Sequence, residues 1–137
     1  MNNKITKEQI IEQAKVYRSL TNDITESWNK VLKWKKISNA ELTRRTGITE
    51  KSIRYIVTGQ RIGSIDNLVL MCLAANLPSR ISEHLIRLSG HSLSMVNEDH
   101  VIYDYLLRHK YSESLLEIRQ FLMEIESDLY LKIPFEP

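Results

Sequence analysis

Cationic side chains crowd one stretch of the chain. Between Lys30 and Arg61 there are nine Lys or Arg against two Asp or Glu, a local net of +7. Ammonium and guanidinium groups neutralise phosphate, and the planar arginine fork matches phosphate oxygens. Anion recognition is therefore the first chemistry to weigh. Metal chemistry is the second. His84 and His91 are seven residues apart, and His100 and His109 follow at steps of nine. Cys72 is the only cysteine, and no H-E-x-x-H occurs. That is no recognisable ligand set, so the histidines are expected at the solvent-exposed surface, without a metal. Ser27-x-x-Lys30 formally matches the S-x-x-K of some serine enzymes. It lacks the companion motifs and falls in an amphipathic helical pattern. No glycine-rich phosphate loop and no acid–base pair is found. The chain is read as a non-enzyme that needs no cofactor.

Elements must position those cations. The 137 residues suffice for one domain with appendages, and 42% hydrophobic with 26% charged residues is ordinary for a globular protein. No run approaches the roughly 18 apolar residues of a membrane span. "MNNKITKEQ" lacks the apolar block of a secretory signal. One cysteine permits no internal disulfide, which fits a reducing cytoplasm. With four Gly, three Pro and abundant helix formers, an all-α fold is expected. The charge is segregated. Against the basic third stands an acidic one: Glu98 to Pro137 holds four Lys or Arg and nine Asp or Glu, a net of −5. DNA would repel that end.

Helical patterns fill the chain. Thr6 and Gln9 make a capping-box spacing ahead of Ile10, Ile11, Ala14, Tyr17 and Leu20. Asp23 can cap a helix carrying Trp28, Val31, Leu32 and Lys35. Trp28 and Trp34 are read as core anchors. "NAELTRRT", Gly47, "TEKSIRYIVT" and Gly59 follow. Ser64 caps "IDNLVLMCLAANL", with Leu68, Cys72 and Ala75 on one stripe. Pro78 opens "SRISEHLIRLS", and Gly90 stops it. Two further helices are expected, at 98–109 and from Ser112 or Ser114 onward. Their stripes are Ile102, Leu106 and His109, and Leu115, Ile118, Leu122 and Ile125. These can close the core or build a two-fold interface. "LKIPFEP" should be irregular or docked.

At 100° per residue, Ile53, Ile56 and Val57 share one side of the second central helix. Lys51, Tyr55 and Thr58 lie opposite, with Arg54 beside them. Leu42 and Thr46 point inward from the preceding helix, while Ala40 and Arg44 face out. Gly47 supplies the positive φ of the corner, and Ile48 plugs it. Thr49 caps, so Glu50, Lys51 and Ser52 form an exposed first turn.

"SNAELTRRTGITEKSIRYIVTGQR" resembles the phage-repressor/Cro-type helix-turn-helix family, also called XRE-like or lambda-repressor-like, at Leu42, Gly47, Ile48, Thr49, Ile53, Ile56 and Gly59. The resemblance covers about residues 24–90 and includes two flanking helices. It implies a five-helix domain over 23–91, with an N-terminal helical extension over 1–22 and a C-terminal one over 92–137. Residues 64–132 further resemble a C-terminal pattern of bacterial helix-turn-helix proteins through Tyr105 (or Tyr103), Leu106, Leu107, Ser112, Leu115, Phe121 and Leu122. What the family implies is sequence-specific double-stranded DNA binding by a bacterial or phage transcriptional regulator, repressor-like and working as a homodimer. The second helix would read base edges through Glu50, Lys51, Ser52 and Tyr55. Asn39 aligns with a phosphate-clamping position. Thr58, Gln60 and Arg61 match the loop along the DNA backbone, and Arg44, Arg45 and Arg54 add positive potential. Three departures stand out. Thr43 replaces a small residue, Thr46 an apolar one, and Leu32 with Val57 a common Arg–Glu pair. The alternative is a protein-interaction module of the same fold, an antitoxin-like partner or the regulatory part of a larger protein, engaging its partner through the C-terminal helices.

Overall fold

A computed structural model describes residues 4–134. Residues 1–3 of the expected N-terminal extension and 135–137 of the tail lie outside the described residues. The described residues form eight α-helices and no strand: α1 Lys7–Ser19, α2 Ile24–Lys35, α3 Asn39–Thr46, α4 Glu50–Val57, α5 Ile65–Ala74, α6 Ser79–Leu88, α7 Glu98–His109 and α8 Leu115–Glu124. A short 3-10 helix, Asp128–Lys132, follows.

Side-chain caps set the helix starts. The Thr6–Gln9 capping box forms as its spacing predicts, and Asp23, Ser38, Thr49 and Ser64 each accept a backbone N–H at their own helix. Ser114 rather than Ser112 opens α8, through a second capping box with Glu117. A cap that accepts an otherwise orphaned donor is worth about 1 kcal/mol.

The centre of the molecule is α5. Every residue from Leu68 to Ala75 is buried, not one stripe alone. A helix apolar on all sides must be enclosed. α3, α6 and α7 pack around it. One apolar cluster runs from Trp28 to Ile133, across residue 92, where the expected C-terminal extension begins. Tyr103, Leu106, Leu107, Leu115, Ile118 and Leu122 bring α7 and α8 into it. Thus the inner stripes of these helices close the core. Two members of the expected stripes stay outside: His109 is exposed at the end of α7, and Ile125, the C-cap of α8, is exposed too. The tail docks through buried Leu129 and Ile133. A polar tie joins these parts, with the Tyr103 hydroxyl donating to the Asp66 carboxylate and Lys132 Nζ 3.3 Å from the same group. Burial first, and the Asp66 carboxylate second, push the Tyr103 phenol well up, so it stays a donor.

Two expectations fail, one for Trp34 and one for the histidines. α1 buries no residue; Ile10 and Ile11 stay exposed, and only Val16, Tyr17 and Leu20 nearby pack against the core. Periodicity marks an apolar face but not whether a neighbour covers it. Trp34 is only partly buried, with Lys35 Nζ 4.5 Å over its ring, whereas Trp28 is fully enclosed. The histidines are not all surface groups. His84 is buried, its Nε2 2.7 Å from the Thr21 carbonyl and its ring edge-on to Tyr17. The half-buried His91 Nε2 sits 2.8 Å from the Gly63 carbonyl. Each ring meets a backbone carbonyl, and the Thr21 carbonyl also accepts from the Ser27 hydroxyl at 2.9 Å. No metal-type cluster of His, Cys, Asp or Glu occurs among the described residues.

Candidate nucleic-acid interface

The corner between α3 and α4 is held by threonine chemistry as much as by glycine. Gly47 sits at φ 77° and donates to the Thr43 carbonyl at 2.8 Å. Thr46 is buried, but its hydroxyl is satisfied. It donates to the Leu42 carbonyl at 2.6 Å and accepts from the Ile48 N–H at 3.1 Å. This explains a polar residue where an apolar one was expected. Thr43 is different: its buried Oγ1 has no hydrogen-bond partner among the described residues. Leu32 and Val57, the apolar replacement for an ion pair, are both buried.

α4 divides along its length as the wheel predicts. Ile53, Ile56 and Val57 are buried. Glu50, Lys51, Ser52, Arg54 and Thr58 are exposed, and Tyr55 is half-buried. Thr49 Oγ1 accepts from the Ser52 N–H at 3.2 Å and donates to Ser52 Oγ at 2.9 Å, so the first turn is held from both groups. At the other end Thr58 Oγ1 donates to the Arg54 carbonyl at 2.7 Å. Gly59 then takes φ 73°, and a Cβ there would meet Ile24 Cγ2 at 2.8 Å. The chain therefore turns tightly against α2. Arg61 donates its backbone N–H to the Tyr55 carbonyl at 3.2 Å.

That return places Arg61 over Tyr55. The guanidinium carbon is 5.0 Å from the ring centroid, with Lys51 Nζ at 5.7 Å and Arg54 at 5.9 Å. Three cations thus share one aromatic ring, each contact worth about 0.5–1 kcal/mol at an exposed site. None of the three forms a salt bridge among the described residues. Lys51, Ser52, Tyr55 and Arg61 line a shallow depression of about 370 Å³. Ile62, Ser64 and Asn67 complete it, and sequence reasoning missed Ile62 and Asn67 as neighbours of the site. The Ser64 cap was legible; that it turns Asn67 toward α4 depends on how the loop folds back.

The other candidates fall elsewhere. Asn39 opens α3 just after the Ser38 cap and is half-exposed; Gln60 is exposed in the turn after α4. Arg44 joins none of the Tyr55 group. Its Nε and Nη2 bind both Glu41 carboxylate oxygens, at 3.0 and 2.6 Å. Arg45 Nε binds the same carboxylate at 2.8 Å, and its Nη1 donates to the Ala74 carbonyl at 2.7 Å. Lys30 also pairs, with Glu26. The segment's net of +7 is therefore not one field on one face. Comparison with protein-family models, with curated proteins and with solved structures found no match for this chain.

Proposed function

We propose that the chain binds double-stranded DNA with sequence preference, α4 entering the major groove. One observation carries the reading: α4 buries its isoleucine stripe, and Lys51 and Arg54, with Arg61 from the following loop, gather around Tyr55 without a salt bridge among the described residues. Exposed cations without a carboxylate partner are free to replace the counterions of phosphate. The sequence resemblance to the phage-repressor/Cro-type helix-turn-helix family supports the same arrangement. In it Lys51, Arg54 and Arg61 supply affinity, with Thr58 and Gln60 beside the DNA backbone and Asn39 at a second phosphate. Glu50, at the first position of α4, supplies discrimination, since a carboxylate accepts from cytosine N4. A single module buries little DNA surface, so binding as a homodimeric transcriptional regulator belongs to the proposal.

Fluorescence anisotropy on a randomised duplex library tests it. Affinity should fall with salt by about 0.9 in log–log slope for each phosphate neutralised. Salt-independent binding, or none, rejects the reading.

A further inference from the structure

A second basic group faces a different space. We infer that the open cleft between α3, α5 and α8 is a binding site for a small monocarboxylate with a short apolar body. The cleft measures about 450 Å³, within the usual range for small-molecule sites. Leu73, Leu115, Leu116 and Pro134 form its apolar wall, and Arg44 with Arg45 its charged end.

The charge at that end follows from its hydrogen bonds. Glu41 holds both guanidiniums, so the triad of two cations and one carboxylate carries a net +1. The two arginines lower the Glu41 carboxyl to about 2, so this balance persists across the neutral range. Each guanidinium has five N–H donors. Arg44 spends two on Glu41; Arg45 spends one on Glu41 and one on Ala74. Three remain on each. Because Glu41 and the Ala74 carbonyl already fix the planes, a ligand loses little by ordering them. A planar carboxylate matches such a fork, whereas an ammonium group meets like charge and an alcohol leaves donors idle. Ser114, whose hydroxyl caps α8 by accepting from the Glu117 N–H, lies in the same wall. The basic pair sits in the last turn of α3, beside the corner, so a bound acid would bridge α3 to the C-terminal helices.

The test uses the full chain without DNA, so its outcome is independent of the nucleic-acid reading. Hexanoate, hexanol and hexylammonium are titrated while two-dimensional NMR follows backbone amides and arginine Nε–H groups. Hexanoate should saturate in the roughly millimolar range of a fragment its size, with shifts at Leu73, Leu115, Leu116 and Arg44. Hexanol and hexylammonium should bind at least about tenfold more weakly, the usual worth of a charge-assisted hydrogen bond. Arg44→Gln should cost hexanoate about tenfold, and Arg44→Lys should restore only part, because charge returns without the fork. Unchanged shifts elsewhere confirm that each variant is folded. Equal binding of hexanoate and hexanol, no saturable shifts, or hexanoate affinity indifferent to Arg44→Gln overturns the site.

Discussion

Helices α3 and α4 are each eight residues long, meet at one corner and both carry basic residues. Their charges are used in opposite ways. In α3, Glu41 gathers Arg44 and Arg45 into an internal network that ends on the Ala74 carbonyl. In α4, Lys51 and Arg54, joined by Arg61, share only an aromatic ring. One helix ties its cations to a carboxylate of its own, and the other ties its cations to none among the described residues. A count of lysines and arginines along a segment cannot separate these cases; the placement of one glutamate can.

The largest expected effect is on the outward side of α4. The double variant Lys51→Ala/Arg61→Ala should make the salt dependence of duplex binding shallower by about 2 in log–log slope, roughly one unit per lost phosphate contact. Arg44→Gln, measured in parallel, should change the slope by less. Equal changes would erase the contrast between the helices. Glu50→Ala sharpens it further, on sequence rather than affinity. Selection from a random duplex library should show a relaxed preference at one position, a loss of about 1–3 kcal/mol in discrimination. An unchanged preference would leave Glu50 serving only the positive end of the helix.

The two threonines of α3 give a smaller effect of opposite sign. Thr46→Val removes the acceptor of the Ile48 N–H and should cost about 1 kcal/mol in urea unfolding. Thr43→Val removes an unpartnered buried oxygen and should be neutral or stabilising by under about 1 kcal/mol. If both variants destabilise alike, packing rather than hydrogen bonding holds the corner.

Much of this was readable along the chain because it depends on neighbours three or four residues away. The caps at Thr6, Asp23, Thr49 and Ser64, the Ile53–Ile56–Val57 stripe and the Gly47 corner all obey such local rules. The Glu41–Arg44 and Glu41–Arg45 spacings are also local and could have warned that both arginines turn toward Glu41. What escaped is long-range. His84 meets Thr21 across 63 residues, and Arg45 meets Ala74 across 29. Neither contact has a periodic signature. Exposure of Ile10 and Ile11 escaped for a related reason: whether a face finds a cover is decided by distant elements.

The smallest expected effect is also the most direct check on α3. Hydrogen bonds from Arg44 and then Arg45 hold the Glu41 carboxyl at about 2, below its ordinary value of 4.5. A carboxylate so depressed stabilises the folded state fully above about pH 4.5, and the gain is lost as pH falls toward 2. Glu41→Gln has no such carboxylate to titrate. Thermal melts of both proteins should therefore differ most near neutrality, and the gap should close between about pH 4.5 and 2. The group is solvent-exposed, so screening keeps the gap small and added salt should shrink it. A gap that stays constant through this window would mean that Glu41 acts by shape rather than charge. The difference between the two helices would then not lie in their electrostatics.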